Sequence, residues 1–596
     1  MTTVRKNRIL AVIAISLIAS GCATTPVPND AQSTCNVPVS QINGWFHSGS
    51  VTLNGVVDPA NSVTFSNAPN CDFYKWSEQM FLWANSPAPA TYGGGNRVFN
   101  SQAFFDVSDP DAMGQRTFIG HPSNAFALRN LMLRVAKPGF HGLPVIMSKD
   151  HRLFEIDLPP VSPAGKQLIL NSENQPVEIA RIELPEADTK KTQPATRTPT
   201  FFDNNGAVIK GAHPLFRESL QRANKDLLAQ KFIVGKTPVF LNSLGAAIET
   251  EQGQADGSVL MAQNGSLVYY GIFANDVFAY FTTGVKDNVI AATHFPTTNA
   301  DLTAVKNFAI SHGLPTPDPF PDSVALAVEL KTSWVEASGV ADPSHYISMN
   351  ATIPTYDTSN PNDWVPNGSK TVKMVMTAMH VVGSTAGHPE MIWATFEHEN
   401  NAPNATYNYN STTGPKSVNP NFSQAFLFCA ASPDQAHLNE PHMQMGSGAQ
   451  NGHIVAMSGF TVSPSNTIRS NAFGAAFGVG PNPLGNDAFS NSELIKVNTD
   501  VRSALDPNDV RRRYIMTGST WTIGGAGFNG NFGNPGNTAV VAGRGVGTSQ
   551  MANTTLETYQ QGFPSAFSNF GNNCFSCHGT NTTAVSHIFG PLQPLF

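Results

Sequence analysis

The sequence predicts an α+β protein, predominantly β, with antiparallel strands, long loops and several helices. Three observations support this class. Residues 324–334, 372–381 and 391–398 alternate apolar and polar side chains as half-buried strands do. Only a few segments carry apolar residues at helical spacing. Stretches rich in Asn, Gly and Pro at 400–490 and 524–547 separate the periodic runs, longer than a minimal scaffold needs.

The chain of 596 residues is 41% hydrophobic and only 13% charged, enough for a large core and for two or three domains. Its formal charge of -7 provides no field that would gather phosphates, so nucleic acid is not an expected partner.

Residues 1–22 have the layout of a signal peptide, with Arg5, Lys6 and Arg8 before an apolar run too short to span a bilayer. The run ends in Ala19-Ser20-Gly21-Cys22, which resembles a bacterial lipobox. The resemblance implies lipidation of Cys22, and Ala23 after it implies sorting to the outer membrane, with a periplasmic or surface-exposed body. Residues 23–65 read as a tether followed by N-terminal edge strands.

Residues 66–313 read as a mixed α/β body. Phe73, Trp76, Met80 and Phe81 share one helical face, and Pro87 and Pro89 end that helix. A second helix is expected over residues 213–230. A third is expected after Thr298 or Asn299 as cap, with Gly313 as its stop. No internal repeat is evident. The Pro-rich stretch 314–321 is the expected boundary to a β-rich domain over 314–553. The last segment, 554–596, opens on Thr-Thr-Leu-Glu, a capping box predicting a final helix.

Within that segment Cys574-Phe575-Ser576-Cys577-His578 has the spacing of covalent haem attachment. Two thiols separated by two residues can reach both vinyl groups of a haem, and the adjoining histidine can bind the iron. A redox dithiol would need a βα context, and a zinc site would need a second ligand pair; neither accompanies these residues. The five residues resemble the c-type cytochromes, which implies thioethers at Cys574 and Cys577 and His578 as proximal ligand. FYKWSEQMFLWANSP, MIWATFEHENNAP and NCFSCHG are similar to phrases of large exported bacterial haem-c lipoproteins of unestablished reaction. That resemblance spans most of the chain and implies one haem c but no mechanism.

Only 18 residues follow His578, too few to enclose a haem, so the preceding chain must build most of its pocket. The residue opposite His578 separates an electron carrier from a ligand-binding site. Candidate distal ligands are His587, nine residues on, and His442 or Met443 in the loop HLNEPHMQMG, which also carries His437 and Met445. A histidine among His380, His388 and His398, with Glu397 or Glu399, is a candidate proton shuttle. One of Arg511, Arg512 and Arg513 is a candidate for a haem propionate. Cys35 and Cys71 are expected to pair as a disulfide, leaving Cys429 as a buried thiol; other pairings stay open.

The expected function is electron transfer with an envelope redox partner protein. The alternatives are a haem-dependent oxidoreductase, peroxidase- or oxygenase-like, acting on a small-molecule oxidant, and a haem-based sensor of small ligands.

Overall fold

A computed structural model describes residues 27–596 except 67–70, 94, 109–114, 122–128, 131–144, 148–152, 184–198, 217–227, 235–236, 249–258, 447–449, 451, 475–483, 534–540 and 562–572. Cys22 and the signal segment lie outside the described residues. The fold is α+β and mostly antiparallel, centred on a 13-stranded sheet. Its main strands are β1 (Phe104–Val107), β2 (Tyr269–Asn275), β3 (Val328–Glu336), β4 (Asp363–Thr385), β5 (His388–His398), β6 (Tyr514–Thr522) and β7 (Gly545–Thr548). Each pairs antiparallel with the next, so the sheet centre is a meander interrupted by long excursions. The first part of β4 is exposed and pairs with the strand Ser348–Asp357 as a ribbon.

The expected strands exist, but β4 and β5 are buried on both faces rather than half-buried through residues 374–398. Helices lie on both faces, and on one of them they share the cover with the end of the chain. The helices are α1 (Val39–Trp45), α2 (Asp72–Ala84), α3 (Asp276–Lys286), α4 (Asn299–Ser311), α5 (Leu484–Ala504) and the single turn α6 (Phe575–His578). On α2, Phe81 stacks on Phe396 of β5 at 4.3 Å, and Trp76 and Trp83 are fully buried. Helix α4 has the expected cap: Thr298 accepts from the Asp301 amide while Asp301 accepts from the Thr298 amide. A disulfide joins Cys35 to Cys71, at the start of α2. Cys429 is buried, and burial pushes its thiol up to about 11.

Several expectations fail for local reasons. Residues 38–57 form α1 and an isolated bridge, Phe46 to Val57, instead of edge strands. The Pro-rich stretch does not divide the sheet, because β2 before it and β3 after it are hydrogen-bonded neighbours. Of the helix expected over 213–230, residues 217–227 lie outside the described residues, and Leu228 begins a strand. Thr554 opens only turns and the 3-10 helix Thr558–Gln560. Its amide and hydroxyl are taken by Glu397, which draws them onto the sheet and away from an α-helical path. Helix α5 begins at the end of the stretch 400–490 read as loop and runs on through residues assigned to no element. It buries Ser490, Asn491, Ser492, Glu493 and Asn498 beside Leu494, Ile495, Val497 and Val501, so no polar face marks it.

Among the described residues between 160 and 268 a nine-residue hairpin recurs five times, although no repeat is evident in the sequence. Its copies are 160–168, 169–177, 201–209, 240–248 and 260–268. In each, the third residue donates to and accepts from the turn in the same way: Ser162 to Lys166 and Gly165, Asn171 to Gln175 and Asn174, Asp203 to Ala207 and Gly206, Asn242 to Ala246 and Gly245, Ala262 to Ser266 and Gly265. The sixth residue is left-handed in all five, with φ of 77° at Gly165, Gly206 and Gly245, 85° at Gly265 and 58° at Asn174. That geometry is a turn followed by a bulge, and it favours Gly or Asn. The shared requirements are two flanking apolar residues and one left-handed position, too sparse a pattern to register as sequence identity.

Candidate functional site

Residues directly opposite one another in an antiparallel sheet share a face. One row across β3, β4 and β5 therefore aligns Lys331, His380 and Thr395, and the next row aligns Glu329, Val382 and Trp393. The end of the chain is fastened to this face residue by residue. Tyr270 donates to the Thr555 carbonyl at 3.0 Å, and Ser333 meets the Thr555 hydroxyl at 2.7 Å. Asn553 donates to the Thr395 hydroxyl at 2.9 Å, and Glu557 reaches His380 at 3.4 Å. Further on, the ring of His578 stacks on Trp393, and Ser586 donates to Glu329 at 2.7 Å. The last residues are clamped to α3 and α4: Leu592 is buried, Leu595 donates to Thr283, and Phe596 stacks on His312 at 4.5 Å.

The C-x-x-C-H residues form the turn between these anchors. The Cys574 amide and thiol both donate to the Ser549 carbonyl, at 3.0 and 3.3 Å. Phe575 points into a cluster with Phe528 and Phe532, stacking on Phe528 at 4.8 Å. A Cβ on Gly545 would meet both the Phe532 and Phe575 rings at 2.9 Å, so only glycine allows this approach. The side chain of Cys577 lies outside the described part of the structure.

His578 lies between two rings, with centroids 3.8 Å from Trp393 and 4.0 Å from His587. Its Nδ1 is 2.7 Å from the Val585 carbonyl. A carbonyl only accepts, so Nδ1 carries the proton and the lone pair sits on Nε2. Burial holds the imidazole well below its ordinary pKa, reinforced by His587 and opposed by the Val585 carbonyl. A neutral histidine, oriented by a carbonyl and held between rings, is the form that ligates a metal through Nε2. The Cys574 thiol is not in a disulfide. The buried Nε of Arg544, the residue before Gly545, has no hydrogen-bond partner among the described residues, and a propionate oxygen is the kind of acceptor that would satisfy it. These donors fit a covalently attached haem c.

The distal candidates are dispersed. His587 is stacked on the ring of His578 and does not stand apart from it across a space that a haem could occupy. His442 stacks on Phe460 at 4.2 Å and meets Ser463. Met443 is buried in the main core on the short strand Met443–Met445, and its carbonyl accepts from Val259. His437 is paired with Glu440 on the surface.

The histidines of the β4–β5 hairpin have separate partners. His388 bonds to Glu390 and stacks on Trp521, and His398 stacks on Tyr346 and meets the His345 carbonyl. Only His380 faces the haem-motif segment, and its carboxylate partner is Glu557, not Glu397 or Glu399. Glu397 is held by Arg469, and Glu399 by Arg502 and Arg513. Arg511 is locked to Asp509 at 2.6 Å in full burial, which removes it as a propionate partner.

Trp393, Lys331, Glu557 and Arg544 are the site residues that sequence reasoning missed. Trp393 and Lys331 are marked only by strand register, and in the sequence Glu557 reads as the last residue of a capping box. Among the described residues no helix is long and apolar enough to cross a membrane. No model of a protein family, no curated protein and no solved structure matches this chain.

Proposed function

We propose that this chain is a haem-c protein of the bacterial cell envelope that transfers electrons to or from a redox partner protein. The haem is joined through Cys574 and Cys577, and His578 Nε2 is the proximal ligand. The observation that carries the reading is the fixed imidazole of His578, oriented by the Val585 carbonyl between Trp393 and His587. The group supplies a one-electron iron couple when bound. The chain's own residues hold the ligand tautomer, limit its rotation and cover it with the sheet, which lowers the reorganisation that an electron would otherwise provoke. Export through residues 1–22 and a lipid on Cys22 place the protein at the outer membrane, and the Cys35–Cys71 disulfide suits that oxidising compartment.

A second reading, a haem-dependent oxidoreductase or ligand sensor, is favoured by the polar pair His380 and Glu557 beside the motif, which a simple carrier does not need.

The test is expression in a host that attaches haem c, followed by absorption spectra of both oxidation states with and without carbon monoxide. Covalent haem with a low-spin spectrum indifferent to carbon monoxide supports the carrier. A carbon-monoxide-sensitive, high-spin iron moves the second reading ahead. Haem that survives denaturation in the Cys574→Ala, Cys577→Ala double variant overturns the attachment site.

A further inference from the structure

The pair His380 and Glu557 is built from two parts of the chain that meet only in the tertiary structure. His380 sits on β4 opposite Lys331 and Thr395, one row from Trp393, which carries the His578 ring. Glu557 comes from the segment just before the haem motif, and its Oε1 is 3.4 Å from His380 Nε2. Its other oxygen accepts the Ala552 and Asn553 amides at 2.9 and 3.0 Å. Both side chains are largely buried, and neither His578 nor His587 stands between them.

We propose that His380 and Glu557 form a proton-binding site coupled to the haem electron, an inference that rests on the haem-c reading. With haem bound, uptake of one electron from a donor protein would be accompanied by a proton from solvent bonding to the Glu557 carboxylate, and loss of that electron to an acceptor protein by release of the proton. The charge added at the iron is thereby matched inside a poorly solvated site, where an uncompensated charge is costly.

The groups facing the pair support a site poised to titrate. Burial is the main influence on Glu557 and raises its carboxyl to about 7; the two backbone amides and Lys331 oppose this, and Glu397 adds to it. Burial and Lys331 lower His380 to about 3, so the imidazole stays neutral beside the carboxyl and does not itself hold the charge. His380 and His578 influence one another electrostatically through the site. Glu329 on β3 is bonded to Ser586, and Glu397 on β5 to Arg469.

The experiment measures the midpoint potential of the full-length, haem-loaded protein from pH 5 to 9. One proton per electron makes the potential fall by up to ~59 mV per pH unit in a window around neutrality, and the expected result is that slope in the wild type and a flat profile in Glu557→Gln. A slope unchanged in Glu557→Gln, or a flat wild-type profile, overturns the proposal. A second measurement needs no variant: the reduced-minus-oxidised infrared difference spectrum of the wild type should gain a protonated-carboxyl stretch on reduction, and its absence also overturns the proposal. A preparation without covalent haem would sink the functional reading itself, whereas attached haem with a flat profile sinks only the proton coupling.

Discussion

The imidazole of His578 lies nearly parallel to the indole of Trp393, 28° apart with ring centroids 3.8 Å apart. The contact joins a residue 18 positions from the end of the chain to the middle of the central sheet. It explains how so short a tail is seated: the main strands of the sheet precede the motif in the chain, and Trp393 is the plate on which the imidazole rests.

Trp393→Ala removes that plate. The indole is half-buried and donates to the Glu390 carbonyl, so the loss of stability should fall at the low end of the ~3–5 kcal/mol typical of large aromatic deletions. In the haem-loaded protein the bands that report the axial ligand should broaden or shift. Unchanged spectra together with unchanged urea denaturation would remove Trp393 from the site.

The ion pair of Arg469 and Glu397 is fully buried, and it also binds Thr554, Asn401 and the Ala402 carbonyl. Breaking one partner leaves an uncompensated buried charge. Arg469→Met should therefore cost about 3–5 kcal/mol and loosen residues 552–561, measured by urea denaturation and hydrogen exchange. The double variant with Glu397→Leu should recover much of the loss, since a matched apolar pair carries no stranded charge.

Glu78, Asp276 and Glu493 each have a carboxyl pushed up to about 8 chiefly by burial. Their folded pKa values lie above the unfolded ones, so the folded state binds these protons more tightly. The stability this contributes is complete below about pH 4 and is lost as pH rises through about 8. Glu493 illustrates the cause: its Oε2 is buried without a hydrogen-bond partner among the described residues, beside the uncharged Cys35–Cys71 disulfide. Glu493→Gln should flatten the fall in stability between pH 5 and 8, by on the order of 1–3 kcal/mol in urea unfolding. An identical pH profile in the variant would show that this carboxyl does not control it.

Elements governed by local rules could be read in advance. Helix α4 has its cap, box and glycine stop within sixteen residues, and α2 has one apolar face and a proline end. The strands of the hairpin at β4 and β5 alternate clearly enough to be placed, and the five residues of the haem motif name their own chemistry. Elements governed by burial could not. Helix α5, of which only residues 484–490 fall in the stretch read as loop, is not marked in the sequence because its polar residues are buried and carry no periodic sign of a helix. Thr554 carries a capping box whose helix loses to Glu397, a partner 157 residues away.

By itself, then, the sequence determined the fold class, the locally capped helices and the spacing of Cys574, Cys577 and His578, because each depends on residues within a turn or two of one another. Only the tertiary structure decided which face of the sheet receives that segment, that His587 lies beside His578, and that His380 meets Glu557. Those outcomes depend on strand register and on burial shared by distant segments, and a one-residue slip in register would turn Lys331, His380 and Trp393 to the opposite face.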